Sequence, residues 1–244
     1  MREYREREYR SFLRCDRLLA FEVRVKETDL FILADSDLQQ QAVEAVYRIR
    51  GPLENYVADH PEFLHSLTPL PVDPLAPAVV REMTQAGRLC GTGPMAAVAG
   101  AIAERVGKEL LETSSEVVVE NGGDCFVKVN MPMQFGIFAG DSPLSGKVAV
   151  WIRPEQTPLG ICTSSATVGH SLSFGRADAV TVVAASTAVA DAAATRICNE
   201  VHNRADIKRA LELAQRIEGV RGAVVVIKDR LGAWGDIELV DLPR

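Results

Sequence analysis

Asp191 and Thr195 lie four residues apart in the stretch AVTVVAASTAVADAAATRICNEV, residues 179–201. In a helix, that spacing projects a carboxylate and a hydroxyl side by side from one face. Their neighbours Ala190, Ala192, Ala193 and Ala194 are small, so backbone or ligand can approach closely. Two hard oxygen donors so placed could contribute to a magnesium site completed by backbone carbonyls, waters or substrate phosphates. The bland alternative is a packed helix in which Thr195 bonds back to a carbonyl and Asp191 meets solvent. Taken alone, the bland reading is the stronger.

Three further blocks could hold a ligand. Cys90-Gly91-Thr92-Gly93-Pro94-Met95-Ala96-Ala97 is a glycine-rich turn entering a helix. Such a turn offers unpaired N–H groups and the positive end of the helix dipole, which suit a pyrophosphate. On this reading Gly93, Met95 and Ala96 are ligand contacts. The competing reading is a tight loop of small residues, and the spacing is not that of a dinucleotide fingerprint. In Asn121-Gly122-Gly123-Asp124 the glycines permit positive φ and a bare backbone, while Asn121 and Asp124 can hold ribose or ring-edge donors. On spacing alone the block is a hairpin turn. Thr163 and Ser164 close the run Gly160-Ile161-Cys162-Thr163-Ser164-Ser165, where hydroxyls could meet phosphate or ring oxygens or simply end a strand.

These blocks carry a resemblance. The stretch from Val180 to Thr195 resembles the C-terminal signature of the ApbE family of flavin transferases, V-x-V-x-A-x-x-x-x-x-A-D-A-x-x-T, whose Asp and Thr hold magnesium. Gly93 to Ala103 and Glu120 to Asp124 are similar almost letter for letter to blocks of the ApbE-like family UPF0280. The resemblance spans roughly Leu89 to Asn203. It implies a T-fold-like architecture, magnesium on Asp191 and Thr195, and FAD or another nucleotide at the Asn121 turn, at Thr163 and Ser164, and at the loop from Gly91 to Ala97. His170 falls where the family has a conserved histidine, as a catalytic base or a structural hydrogen-bonder. Two positions depart from the pattern. Ala97 replaces the family lysine, and Ser171-Leu172-Ser173 replaces the Ile-Asp-Pro after the histidine. Both weaken the implication of FMN transfer onto a protein threonine. Phosphoanhydride cleavage or transfer then leads. A non-catalytic ligand-binding or accessory protein is the alternative, as is a thiol-dependent sulfur-transfer enzyme using Cys125 or Cys162.

Composition sets the frame around these residues. The chain has 244 residues, 47% hydrophobic and 25% charged, the balance of an ordinary globular protein. A net charge of -6 argues against a general nucleic-acid binder. No apolar run reaches the length of a membrane span. The opening MREYREREYR has no apolar core of the kind a secretory signal needs, and the five cysteines form no C-x-x-C pair. The expectation is a cytoplasmic protein with reduced thiols.

The elements that must position the site follow from pattern. Arg14 to Val25 and Thr28 to Ala34 read as strands joined at Lys26-Glu27-Thr28-Asp29, and Leu38 to Ala58 as a helix kinked at Gly51-Pro52. Residues 67–78, rich in proline, read as a connector and as the internal half boundary of a single domain covering residues 1–244. A helix from Ala78 to Ala86 precedes the glycine loop. Strands follow at 116–120, 127–129, 134–139, 147–152, 160–165 and 180–183. After the Asp191 helix come a helix from Ala205 to Ile217 and a hairpin, Gly222 to Lys228 and Trp234 to Val240, turning at Asp229-Arg230-Leu231-Gly232. Strand pairs followed by helix pairs in both halves imply an α+β domain, an antiparallel sheet backed by helices. The sheet's edges would need cover, which a homodimer supplies. The partner expected otherwise is a small phosphorylated molecule.

Overall fold

The structure is a computed structural model that describes residues 10, 13, 15–167 and 174–242. The first hairpin pairs β1 (Leu19–Val25) with β2 (Thr28–Ala34) and closes at Val25 opposite Thr28, a two-residue loop with Lys26 at φ 53°. Helix α1 (Gln39–Asp59) starts where Asp37 Oδ1 accepts the Gln39 N–H at 3.1 Å. Its buried residues Ala42, Ala45, Val46, Ile49 and Leu53 follow the helical repeat. The helix continues through Pro52 to Asp59. A short helix, α2 (Pro61–His65), begins on Pro61, as proline's fixed φ allows at a first helical position.

Helix α3 (Ala78–Cys90) runs past the expected end at Ala86 and stops on Gly91 in the left-handed conformation. Residues 94–97 form a 3-10 turn that leads into α4 (Val98–Leu110). Next come β3 (Val117–Asn121), β4 (Asp124–Lys128), β5 (Met133–Gly136), β6 (Val148–Ile152) and β7 (Leu159–Ser164). The chain closes with β8 (Ala179–Ala184), α5 (Thr187–Asn199), α6 (Ile207–Arg216), β9 (Val220–Ile227), β10 (Arg230–Gly235) and β11 (Glu238–Asp241).

Eight strands form one antiparallel sheet in the order β1-β2-β3-β4-β7-β8-β9-β10. Each half is therefore a hairpin, a set of helices and a second hairpin, a fuller repeat than the strand pair and helix pair expected. Residues 67–78 connect α2 to α3 inside the first unit, and the junction of the two units in the sheet is β4 against β7.

Strand alternation divides the apolar residues between two cores. Ile32, Val117, Val119, Phe126, Cys162, Val180 and Val182 face the helices. Leu33, Val118, Cys125, Val127, Ile161 and Val183 face a second sheet of three strands, β11-β6-β5. The eight-stranded sheet is the middle of three layers. It gathers fully buried Leu30, Ile32, Leu33 and Leu159, each worth roughly 1.5–3 kcal/mol of burial.

The last hairpin differs from expectation. Ile227 faces Arg230, so the turn is Lys228-Asp229. The strand expected from Trp234 to Val240 breaks at Gly235, φ 92°, and its second part leaves the large sheet to pair with β6. Among the described residues no helix is long and apolar enough to cross a membrane.

Candidate functional site

The valine-rich strand β8 and helix α5 form as the sequence implies, but α5 is not capped by its own residues. Ser186 Oγ donates to Glu104 Oε2 at 2.9 Å, and the Thr187 and Ala188 N–H groups donate to the same oxygen at 2.7 and 3.4 Å. The cap thus comes from α4, whose Lys108 Nζ lies 2.6 Å from the other Glu104 oxygen. One turn along α5, Asp191 Oδ2 accepts the Gly100 N–H at 2.9 Å. Gly100 is required there, because a Cβ would lie 2.4 Å from Thr187 O and 2.8 Å from Asp191 Cβ.

The β3–β4 hairpin brings the second carboxylate. Asn121 pairs with Asp124 around Gly122 and Gly123, at φ 70° and 104°. Strand alternation turns Asn121 and Asp124 to the helix face, where Asn121 Nδ2 donates to Ala99 O at 3.1 Å. Asp124 is buried beside Asp191 and Cys162. Burial first, then the neighbouring Asp191 charge, raises the Asp124 carboxyl well above its ordinary value. Burial pushes Asp191 up to about 7, against the lowering influence of the Gly100 and Ala99 N–H groups. The solvent-exposed Asp191 of the bland reading is therefore not what the fold builds.

The hydroxyls divide. Ser164 Oγ and Thr195 Oγ1 lie 3.1 Å apart on the helix face, so Thr195 joins Ser164. Thr163, one residue earlier, points to the other face and meets Thr181 Oγ1 at 2.8 Å. It touches the site only through its backbone, donating to Gly123 O at 3.2 Å. The Thr163 hydroxyl is thus separated from Asp191 by the strand's own alternation.

The glycine loop is shaped by packing. A Cβ on Gly93 would sit 1.7 Å from Ser66 O, so its glycine is needed by the connector that crosses it. Met95 and Ala96 lie half-buried in the 3-10 turn. His170 lies outside the described residues. A groove of about 420 Å³, lined by Gln41, Glu44, Arg48, Glu109 and Thr113, contains none of the site residues.

The donor set fits a magnesium ion. Asp124 and Asp191 offer buried carboxylate oxygens, and among the described residues neither has an ion-pair partner. Ser164 and Thr195 add hydroxyls beside them. Among the described residues no group of three His, Cys, Asp or Glu side chains is arranged to hold a metal ion, so carbonyls, waters or a ligand phosphate would complete the shell, as magnesium usually requires.

Three buried thiols, Cys162, Cys125 and Cys90, do not fit nucleophilic chemistry. Burial, then the charges of Asp124 and Asp191, raises Cys162 well above its ordinary value, and its Sγ donates to Thr187 O at 3.5 Å. Cys125 faces the opposite layer and is raised by burial and by Glu120. Burial and Asp191 push Cys90 to about 12. A thiol so raised stays protonated at neutral pH.

Sequence reasoning missed Glu104, Gly100, Glu120 and Arg10. A carboxylate and a glycine on the buried face of an alanine-containing helix were the available signals for the first two.

Comparison with known proteins shows what the chain is similar to. A family model described as AbpE bacteria matches residues 10–238. A UPF0280 protein of Methanocaldococcus jannaschii is 44% identical over 223 residues, covering 88% of this chain and 91% of the relative. A UPF0280 protein of Methanosphaerula palustris is 43% identical over 214 residues, covering 87% and 89%. Among solved structures, the flavin transferase ApbE of Vibrio cholerae aligns with a TM-score of 0.59 at 13% identity, over 89% of this chain and 96% of that one. The apo flavinyl transferase ApbE of Pseudomonas stutzeri aligns with a TM-score of 0.56 at 16% identity, over 89% and 94%. At these identities the likeness to the solved structures is one of fold.

Proposed function

The chain belongs to the UPF0280 family of ApbE-like proteins, and on that footing we propose that it binds a flavin or nucleotide-type phosphorylated ligand together with magnesium. The observation that carries this reading is the buried Asp124–Asp191 pair, two carboxylates on the helix side of the sheet, the charge of Asp191 felt at Asp124, with no ion-pair partner among the described residues. Uncompensated buried charge is costly, and a divalent cation is the partner that removes the cost. Asp191 and Thr195 would hold the ion, with Asp124 and Ser164 beside them.

Asn121 and the open backbone of Gly122 would hold the organic part of the ligand. A Cβ on Gly122 would meet nothing within 4 Å, so this side of the turn has room. The segment from Gly93 to Ala97 would face phosphate. Magnesium, when bound, supplies neutralisation of the charge that develops on pyrophosphate oxygens. The protein's own groups bind and orient, and FAD is the first ligand to test because solved neighbours of the same fold are flavin transferases.

A second reading is ligand binding without turnover. It is favoured by Ala97, an uncharged side chain at the position where the resembled family carries lysine. A homodimer and a cytosolic location complete the proposal. The outer strands β1 and β10 leave two edges on the large sheet, and the cysteines form no C-x-x-C pair.

The test is calorimetric titration of FAD, FMN, ADP and ATP into metal-free protein, with and without magnesium. Magnesium-dependent binding of at least one is expected, weakened about a hundredfold or more in Asp191→Ala, since a charged ligand group is lost. A folded protein that binds none of the four would sink the proposal. Pyrophosphate-bond cleavage by a protein that binds would then separate turnover from binding alone.

A further inference from the structure

On the sheet face turned away from the helices, Arg10 lies over the ring of Phe31, with the guanidinium carbon 5.7 Å from the ring centroid. Glu22, Phe31 and Glu120 are direct cross-strand neighbours in β1, β2 and β3. The arginine is thus centred on a row with a carboxylate at each end. Nη1 donates to Glu22 Oε1 at 3.0 Å, and Nη2 donates to Asp29 O and Oδ1 at 2.9 and 3.0 Å. Nε donates to Glu120 Oε2 at 2.8 Å.

Glu120 reaches further. Its side chain is 0% exposed, and its other oxygen, Oε1, accepts the Gly123 N–H at 2.8 Å. Gly123 belongs to the turn whose ends carry Asn121 and Asp124. Adjacent glycines have the widest conformational choice of any pair, so a turn built on them needs an external hold. A hydrogen bond to an ionised carboxylate is shorter and about twice as strong as a neutral one. Arg10 supplies the opposite charge beside this buried carboxylate, Nε to Oε2 at 2.8 Å.

We infer that Glu120, held by Arg10, is a positioning residue for the ligand site. It fixes, from the opposite face of the sheet, the turn that aims Asn121 and Asp124 toward Asp191. The role rests on the magnesium and nucleotide reading proposed above. It also makes a residue near the start of the chain part of a site more than a hundred residues away, since Arg10 and Glu120 are separated by 110 positions.

The experiment compares Glu120→Ala, Glu120→Gln, Arg10→Gln and Glu22→Gln with the wild-type protein. Hydrogen–deuterium exchange is followed over residues 119–125, and FAD is titrated at saturating magnesium. Glu22→Gln removes an Arg10 contact without touching the turn, and is expected to match wild type in both readouts. Glu120→Ala is expected to speed exchange of the turn and weaken FAD each by about tenfold, the size of one lost charge-assisted hydrogen bond. Glu120→Gln keeps an acceptor for the Gly123 N–H and should fall between, with Arg10→Gln beside it. FAD affinity should track turn exchange across the set rather than the thermal midpoint.

A folded Glu120→Ala with wild-type exchange at the turn overturns the inference, as does faster exchange with unchanged FAD affinity. If Glu120→Ala does not fold, Glu120→Gln and Arg10→Gln decide by the same criteria. Failure of the wild-type protein to bind FAD is a different result: it overturns the ligand reading and the site with it, while a failed exchange arm overturns the positioning role alone.

Discussion

Burial holds the Asp191 carboxyl at about 7, against N–H groups that favour its charge. In the unfolded chain the same group titrates near 3.8. Between those values the folded protein keeps a proton that the unfolded chain releases, so metal-free stability falls as pH rises across the window and levels off above it. The contribution of Asp191 over the window is on the order of 4 kcal/mol, with Asp124 acting in the same direction. Urea midpoints in chelator at about pH 5 and about pH 8 check this: wild type should lose stability relative to Asp191→Asn on going to the higher pH. Equal pH dependence in the two proteins would contradict it. The residues themselves were partly legible. Asp191 and Thr195 could be paired from their spacing, and Asp124 could be placed in a turn. That Asp124 stands beside Asp191 was not legible, because the approach is made by two chain segments 67 residues apart.

Helix α4 grips α5 at two points, through Glu104 at its N-terminus and through the Gly100 N–H at Asp191. Gly100→Ala forces the two helices apart, because its Cβ would fall 2.4 Å from Thr187 O. A loss of about 1–3 kcal/mol is expected from such overpacking, together with weakened magnesium binding. Glu104→Ala removes the cap of α5 and should cost about 1–2 kcal/mol. Thermal melts with and without magnesium measure both, and a Gly100→Ala protein as stable and as responsive to magnesium as wild type would refute the grip. Elements were mostly readable from the sequence, whereas this grip was not, since Glu104 and Thr187 are 83 positions apart. Glycine misled in a specific way. Gly232 reads as a turn residue, yet it lies within β10, where a Cβ would meet Ile207 Cγ2 at 2.4 Å, and the real turn uses Lys228 at φ 54°. A glycine that admits a neighbour and one that bends the chain look identical in a sequence.

At the scale of the molecule, the α+β class was legible because hairpin and helix patterns recur in order. The second sheet was not, since it recruits β11 from the chain's end to β6, and no local pattern announces a strand that changes sheets. The large sheet ends at β1 and β10, and β1 shows Leu19 at 54% exposure on its outer run. Sedimentation at micromolar concentration is expected to give the mass of two chains, and a monomer at that concentration would remove the dimer from the proposal.

The donors of the candidate site are shared across the β4–β7 junction. Asn121 and Asp124 come from the first unit, Ser164, Asp191 and Thr195 from the second. Neither repeat owns the site. A chain severed in the connection between β5 and β6 would therefore yield two fragments that are each blind to the ligand. Recognition would return only when they meet, so a split form of this protein would report the encounter of its own halves.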